Sequence, residues 1–205
     1  MGPNCLGFVR PSLDLNATFL GGKPPSGNIA FISQSGALGS AILDWTIGAG
    51  IGFSMFASLG SMIAIDFGNM IDFLEDDPAT RSILIYMEGI GNARKFMSAA
   101  RAFAHSKPII ILKPGRFAES ARAAHSHTAA MAGYDAVYEA AFRRAGVVRV
   151  GEIAELFDAA EVLDSKRLPA GPRLAIVTSA GGPGVMATDA LIHLGGELAE
   201  QVKPC

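Results

Sequence analysis

Asn28-Ile29-Ala30-Phe31-Ile32-Ser33-Gln34-Ser35-Gly36-Ala37-Leu38-Gly39 is the stretch on which the fold turns. Its first half is a β-branched and aromatic run that reads as a buried strand. Small polar residues and glycine interrupt it, and an apolar helical pattern then runs from about Ala37 to Ala49. Strand, tight turn and helix in that order open a βαβ unit, and the same alternation continues downstream. Strands are predicted at Phe53–Ser58, Ser82–Met87, Pro108–Leu112 and Val147–Val150. Helices are predicted at Asp66–Glu75, Asn92–His105, Tyr134–Ala145 and Glu152–Asp164. Five such units without a long insertion predict an α/β domain over residues 26–165, a flavodoxin-like doubly wound parallel sheet.

Outward from this domain the pattern changes on both sides. Residues 1–25 show no periodicity and carry Pro3, Pro11, Pro24 and Pro25, so they read as the tail of a preceding domain plus a linker. Residues 166–172, Lys-Arg-Leu-Pro-Ala-Gly-Pro, read as a second linker. Arg173–Ser179 is predicted as another strand, followed by Ala180-Gly181-Gly182-Pro183-Gly184 and a helix to about Leu194. One βα unit cannot bury its own faces, so residues 173–205 are expected to open a second, truncated domain of the same kind, and the chain to be a piece of a longer protein.

The bulk numbers narrow the function classes. Half of the 205 residues are hydrophobic, enough for a substantial core, while only 18% are charged and the net charge is −2. That balance carries no electrostatic footprint for nucleic acid. The apolar runs break well short of the roughly 18 residues that a spanning helix requires, and no signal peptide pattern opens the chain. The two cysteines, Cys5 and Cys205, stand at opposite ends and form no disulfide framework, so a cytoplasmic protein is expected.

In an open parallel sheet ligands bind beyond the carboxyl ends of the strands, and three polar segments fall there: Ser33–Gly36, Glu88-Gly89 and a loop with two histidines. Ser33-Gln34-Ser35-Gly36 precedes a helix whose first N–H groups form an anion site, with Ser35 placed to cap the helix or to touch a phosphate. Gly181-Gly182-Pro183-Gly184 repeats the design, although a plain βα turn explains either segment alone, and neither matches a Walker A or Rossmann fingerprint. The third segment, Ala124-His125-Ser126-His127-Thr128-Ala129-Ala130-Met131-Ala132-Gly133, sets two histidines in a small-residue loop. Imidazole is neutral and nucleophilic near pH 7, so such a loop can present it to a phosphoryl donor. Metal binding by His125 and His127 is disfavoured, because no further Cys or His lies near in sequence and Arg116 and Arg122 suit an anion instead. Glu88 ends an apolar strand and is either a solvated carboxylate or the acceptor of an imidazole Nδ1 proton that leaves Nε2 free to attack phosphorus. His105 and His193 lie on helices and read as structural.

Taken together these segments resemble the succinyl-CoA synthetase and ADP-forming acyl-CoA synthetase family. Gly2-Pro3-Asn4-Cys5-Leu6-Gly7 resembles the motif closing that family's CoA-binding Rossmann domain, and Ile29–Gly39 the strand and first "power helix" of its next domain. Leu59-Gly60-Ser61-Met62 and Asp77-Pro78-Ala79-Thr80 are similar to its middle, and Ser126-His127-Thr128 to its phosphorylated loop. Leu174–Met186 resembles the second power helix and its strand. The resemblance implies acyl-CoA + ADP + phosphate ⇌ carboxylate + CoA + ATP through a phosphohistidine. It assigns His127 as nucleophile and Glu88 as its orienter. Ser35, Gly36, Gly182 and Gly184 would line the phosphate site, with Cys5 near the CoA thiol end.

It also implies coenzyme A and Mg-ATP or ADP as substrates of the parent protein, an acyl phosphate intermediate, and an ATP-grasp domain in the same or a partner chain. Neither a bound metal nor a flavin is expected in this segment, and a homo-oligomer is compatible with the family. Two departures stand out: Ala129 replaces the glycine after Ser-His-Thr, and Ser61–Asp66 lacks an Asn and an Asp common in relatives. The alternative reading is a non-catalytic CoA- or nucleotide-sensing module of a GNAT-fused acetyltransferase. An FMN-binding flavodoxin fits less well, since only Trp45 and Tyr134 offer flanking aromatics.

Overall fold

The computed structural model describes residues 1–117, 120, 134–164 and 170–200, which fall into two units, Met1–Ser165 and Lys166–Cys205. The first unit is built on a seven-stranded sheet in the order β2-β1-β4-β3-β5-β6-β7. These strands are β1 Gly7–Arg10, β2 Leu15–Thr18, β3 Ser26–Ser33, β4 Phe53–Ser58, β5 Ser82–Tyr86, β6 Ile109–Leu112 and β7 Val148–Val150. From β4 to β7 all pairings are parallel, and taken alone these five strands have the 2-1-3-4-5 order of a flavodoxin-like sheet. The chain reverses direction of strand addition between β3 and β5, so the ligand crevice of this topology opens at their carboxyl ends.

Helices cover both faces. They are α1 Gly36–Ala49, α2 Phe67–Glu75, α3 Ala93–Ala104, α4 Asp135–Ala145 and α5 Ile153–Asp164. The strands read as continuous apolar runs because alternate side chains face opposite layers, each of them dry. Ala30, Ile32, Ile83, Ile85, Ile109 and Ile111 pack with Phe67, Ile71, Phe96, Phe103 and Phe142 of α2, α3 and α4. Ile29, Phe31, Leu84, Ile110 and Leu112 pack with Ile42 and Leu43 of α1 and Leu156 and Ala160 of α5. A register shift between Ile29 and Ala30 displaces β4 by one residue, which puts Phe53 and Phe56 on the same face. Each of these fully buried Phe and Ile side chains contributes on the order of 2–3 kcal/mol by leaving water. Trp45 stacks on Phe157 at 4.0 Å between centroids, tying α1 to α5.

The helix ends follow from local chemistry. Ser35 caps α1, accepting from the Leu38 N–H at 3.3 Å, and α1 stops at Gly50 in the left-handed region (φ 70°). Asp66 and Asn69 form a reciprocal capping box on α2, at 3.0 and 3.2 Å. Asn92 caps α3 through the Lys95 N–H.

Two segments differ from the sequence expectation. Residues 7–18, read as pattern-free, form an antiparallel hairpin that extends the sheet, with β1 paired to β4. Their alternation is hidden because β2 lies at the sheet edge with mostly exposed side chains, leaving no apolar periodicity to read. In the second unit the strand expected at Arg173–Ser179 shortens to β8 Arg173–Leu174. Among the described residues it pairs only with β9 Glu197–Leu198, and a two-residue partner supports no longer ladder. Between them lies α6 Gly181–His193, whose Val185, Met186 and Ile192 are exposed, as are Val177 and Leu194 beside it. No helix among the described residues is long and apolar enough to cross a membrane.

Candidate functional site

The carboxyl ends of β3, β4, β5 and β6 are laced together by the residues just beyond them. The Gln34 N–H donates to the Tyr86 carbonyl at 3.1 Å, the Leu59 N–H to the Ser33 carbonyl at 2.9 Å, and the Met87 N–H to the Leu112 carbonyl at 3.0 Å. These bonds carry each ladder one step past its strand, so the loops leave the sheet in fixed directions.

Ser35 and Gly36 sit at the first of these exits. Ser33 Oγ donates to the Ser35 carbonyl at 2.7 Å and accepts from the Ser35 N–H at 3.2 Å, which sets the turn into α1. The first ladder bond of α1 is donated by Gly39, so the N–H groups of Gly36 and Ala37 point out of the helix end with its partial positive charge. A Cβ added to Gly36 would meet only Leu6 Cβ, at 3.9 Å. Internal packing therefore does not require glycine there, whereas a ligand approaching the backbone closely would.

Glu88 lies two residues beyond the end of β5 rather than on the strand itself. Its backbone is held by a side chain: Gln34 Oε1 accepts from the Glu88 N–H at 2.8 Å and from the Gly89 N–H at 3.0 Å. The Glu88 charge is felt by two neighbours. Burial pushes the Tyr86 hydroxyl above its ordinary pKa, and Glu88 adds to that. Burial pushes Lys113 below the ordinary lysine value, helped by Arg149, while Asp135 and Glu88 oppose the shift. Lys113 is buried at the carboxyl end of β6, donates to the Pro114 carbonyl at 2.8 Å and stands 4.7 Å from the Tyr138 ring centroid.

Behind Lys113 a charged cluster braces α4 against β7. Arg149, its side chain 4% exposed, pairs with Asp135 at 2.6 Å and Glu139 at 3.4 Å, and donates to the Lys113 carbonyl at 3.1 Å. Arg116 reaches Asp135 at 3.7 Å, so the guanidinium proposed from sequence for an anion also faces a carboxylate. Asp135 is held below the ordinary carboxylate range, chiefly by its hydrogen bond from Arg149.

The segment around Cys5 approaches the same edge from the other side. The Leu6 N–H donates to Ser58 Oγ at 3.0 Å, and the Ser61 N–H to the Pro3 carbonyl at 2.9 Å. Gly60 (φ 56°) is required by this contact, since a Cβ there would lie 2.1 Å from the Asn4 carbonyl oxygen. Cys5 is half-buried. Thus Ser35, Gly36, Glu88 and the Cys5 segment gather at one edge of one sheet. Gly182 and Gly184 belong to the second unit, at the start of α6, where a Cβ on Gly182 would meet nothing within 4 Å. His125, His127, Arg122 and Ala129 lie outside the described residues. Among the described residues no group of three or more His, Cys, Asp or Glu side chains gathers as a metal site.

Sequence reasoning passed over Gln34, Lys113 and Arg149. A polar residue directly after a buried strand, as at Gln34 and Lys113, is a legible signal. Arg149 offers none, because its partners come from α4 and from the loop after β6.

Comparison with known proteins points in one direction. Residues 26–163 match the family described as Succinyl-CoA ligase like flavodoxin domain. The chain is 46% identical over 199 residues to the ADP-forming acetate–CoA ligase I of Archaeoglobus fulgidus, covering 97% of this chain and 29% of that protein. It is 46% identical over 204 residues to the alpha subunit of the ADP-forming acetate–CoA ligase I of Pyrococcus furiosus, covering 98% and 44%. It superposes with TM-score 0.92 and 40% identity on the dinucleotide-forming acetyl-coenzyme A synthetase 1 of Ca. Korarchaeum cryptofilum, solved with phosphate and ADP, covering 99% and 44%. The chain spans less than half the length of each of these relatives.

Proposed function

This chain belongs to the succinyl-CoA ligase-like flavodoxin family, and we propose that it is the phosphohistidine-bearing part of an ADP-forming acyl-CoA synthetase. The parent protein would interconvert acyl-CoA, ADP and phosphate with carboxylate, CoA and ATP. The observation that carries this reading is the gathering of Glu88, the open N-terminus of α1 and the Cys5 segment at the switch point of the sheet.

In this reading phosphate first displaces CoA from the acyl thioester, giving an acyl phosphate. His127 Nε2 then attacks phosphorus, the P–O bond to the acyl group breaks, and the carboxylate leaves. Glu88 accepts the hydrogen bond from Nδ1–H, which fixes the tautomer and stabilises the positive ring as the N–P bond forms. The α1 N-terminus, with Ser35 and Gly36, takes up phosphoryl charge. ADP, carried with magnesium by an ATP-grasp domain of the same or a partner chain, finally removes the phosphoryl group as ATP. Cys5 would stand near the CoA thiol. The domain plan that fits has a CoA-binding domain handing over within residues 1–25, the phosphohistidine domain at 26–165, a linker at 166–172 and a second flavodoxin-like domain opening at 173.

The deciding experiment is intact-mass analysis of the full-length parent incubated with Mg-ATP, beside His127→Ala. The expected result is an acid-labile phosphate adduct that vanishes in the variant. A folded, nucleotide-binding protein with no adduct would overturn the synthetase and leave the regulatory module in its place.

A further inference from the structure

Resting on the synthetase reading, we infer that Gln34 is a positioning residue for Glu88, its side-chain oxygen holding the backbone from which that carboxylate projects. Beyond Tyr86 the chain leaves β5, and the N–H groups of Glu88 and Gly89 run out of ladder partners. Gln34 supplies one. Its own N–H is bound to the Tyr86 carbonyl, so its backbone is fixed to the strand whose loop it steers. From that anchor Oε1 accepts from both N–H groups, at 2.8 and 3.0 Å, acting as one further rung between β3 and β5.

The residue type fits the task. Two convergent N–H donors ask for an acceptor oxygen at the end of a three-carbon stem beyond Cα, which only Gln and Glu carry. A glutamate would place a second negative charge beside Glu88 and the phosphoryl site, where like charges repel. The neutral amide satisfies both donors without that cost. Its position also matters, because Gln34 directly precedes Ser35 and Gly36 at the mouth of α1. One turn therefore couples the anion-binding helix end to the loop bearing the orienting carboxylate.

The test uses the full-length parent and single-turnover phosphorylation by Mg-ATP, read by intact mass, for wild type, Gln34→Met, Glu88→Gln and the double variant. Gln34→Met keeps the volume and removes the acceptor. Its phosphorylation rate should fall about 10- to 100-fold, the range expected when a reacting group shifts by up to 1 Å, with KM for nucleotide unchanged. Because Gln34 acts through Glu88, the double variant should be no slower than Glu88→Gln alone. Amide hydrogen exchange gives an independent readout: Glu88 and Gly89 should exchange faster in Gln34→Met and stay protected in Gln34→Glu, while β5 amides are unchanged in both. Fully multiplying losses in the double variant, or unaltered exchange at Glu88 and Gly89 in Gln34→Met, would overturn the inference. A slow Glu88→Gln beside an unimpaired Gln34→Met would sink it while sparing the synthetase reading. Wild-type phosphorylation in both Glu88→Gln and His127→Ala would sink both.

Discussion

Gly36 separates packing from function at the scale of one residue. A methyl group fits there, 3.9 Å from Leu6 Cβ, and alanine at the first turn of a helix loses less backbone entropy than glycine. Gly36→Ala should therefore leave the melting temperature unchanged or raise it slightly, by up to about 1 kcal/mol of stability. If the helix end receives a phosphoryl group, the same methyl crowds it, and phosphohistidine formation should drop at least severalfold. Thermal unfolding and intact-mass phosphorylation measured on one preparation check both halves, and an undiminished adduct would remove Gly36 from the site. Gly60 is the contrasting case, where both the left-handed backbone and the Asn4 carbonyl exclude a side chain on structural grounds alone.

Among the elements, the β1–β2 hairpin, already paired to β4, is tied further to the body of the domain by a largely buried ion pair. Arg10 reaches Asp77 at 2.7 Å, and Asp77 also accepts from Thr80 Oγ1 at 2.7 Å and the Ala79 N–H at 3.3 Å. Burial raises the Asp77 pKa, but the bonds from Thr80, Ala79 and Arg10 outweigh it and hold the carboxyl below its ordinary value. A depressed folded-state pKa means the unfolded chain binds the proton more readily in acid. The stabilisation is thus complete above about pH 4, the unfolded value, and is lost as pH falls through the lower folded one. Asp77→Asn should cost about 3 kcal/mol at pH 7, since it strands a mostly buried guanidinium, and should flatten the acid limb of the stability curve. Denaturant titrations at pH 7 and at pH 3 test this; equal losses at both would exclude the pair as the cause. That pairing was illegible in the sequence, where Arg10 and Asp77 are separated by β2, β3, α1, β4 and α2.

For the whole molecule, the two units predict different behaviour. Residues 1–165 close a sheet with both faces covered, whereas the second unit leaves Val177, Val185, Met186 and Leu194 in contact with water. Ending the chain at residue 165 should leave the main unfolding transition at the same temperature and reduce binding of a hydrophobic dye. A fall of several degrees in that transition would mean the sheet unit depends on residues 166–205.

The sequence by itself determined the order and type of the central elements, from the strand at Ser26–Ser33 to the helix ending at Asp164, because apolar periodicity, N-caps and helix-ending glycines act within a few residues of chain. It also marked Ser35, Gly36 and Glu88, since polar residues stand out directly after buried strands. Only the tertiary structure decided that residues 7–18 extend the sheet, that Gln34 grips the Glu88 loop, and that Lys113 and Arg149 lie buried behind it. Edge strands have no dry face to imprint on their sequence, and a hydrogen bond between residues 54 positions apart exists only once β3 and β5 lie side by side.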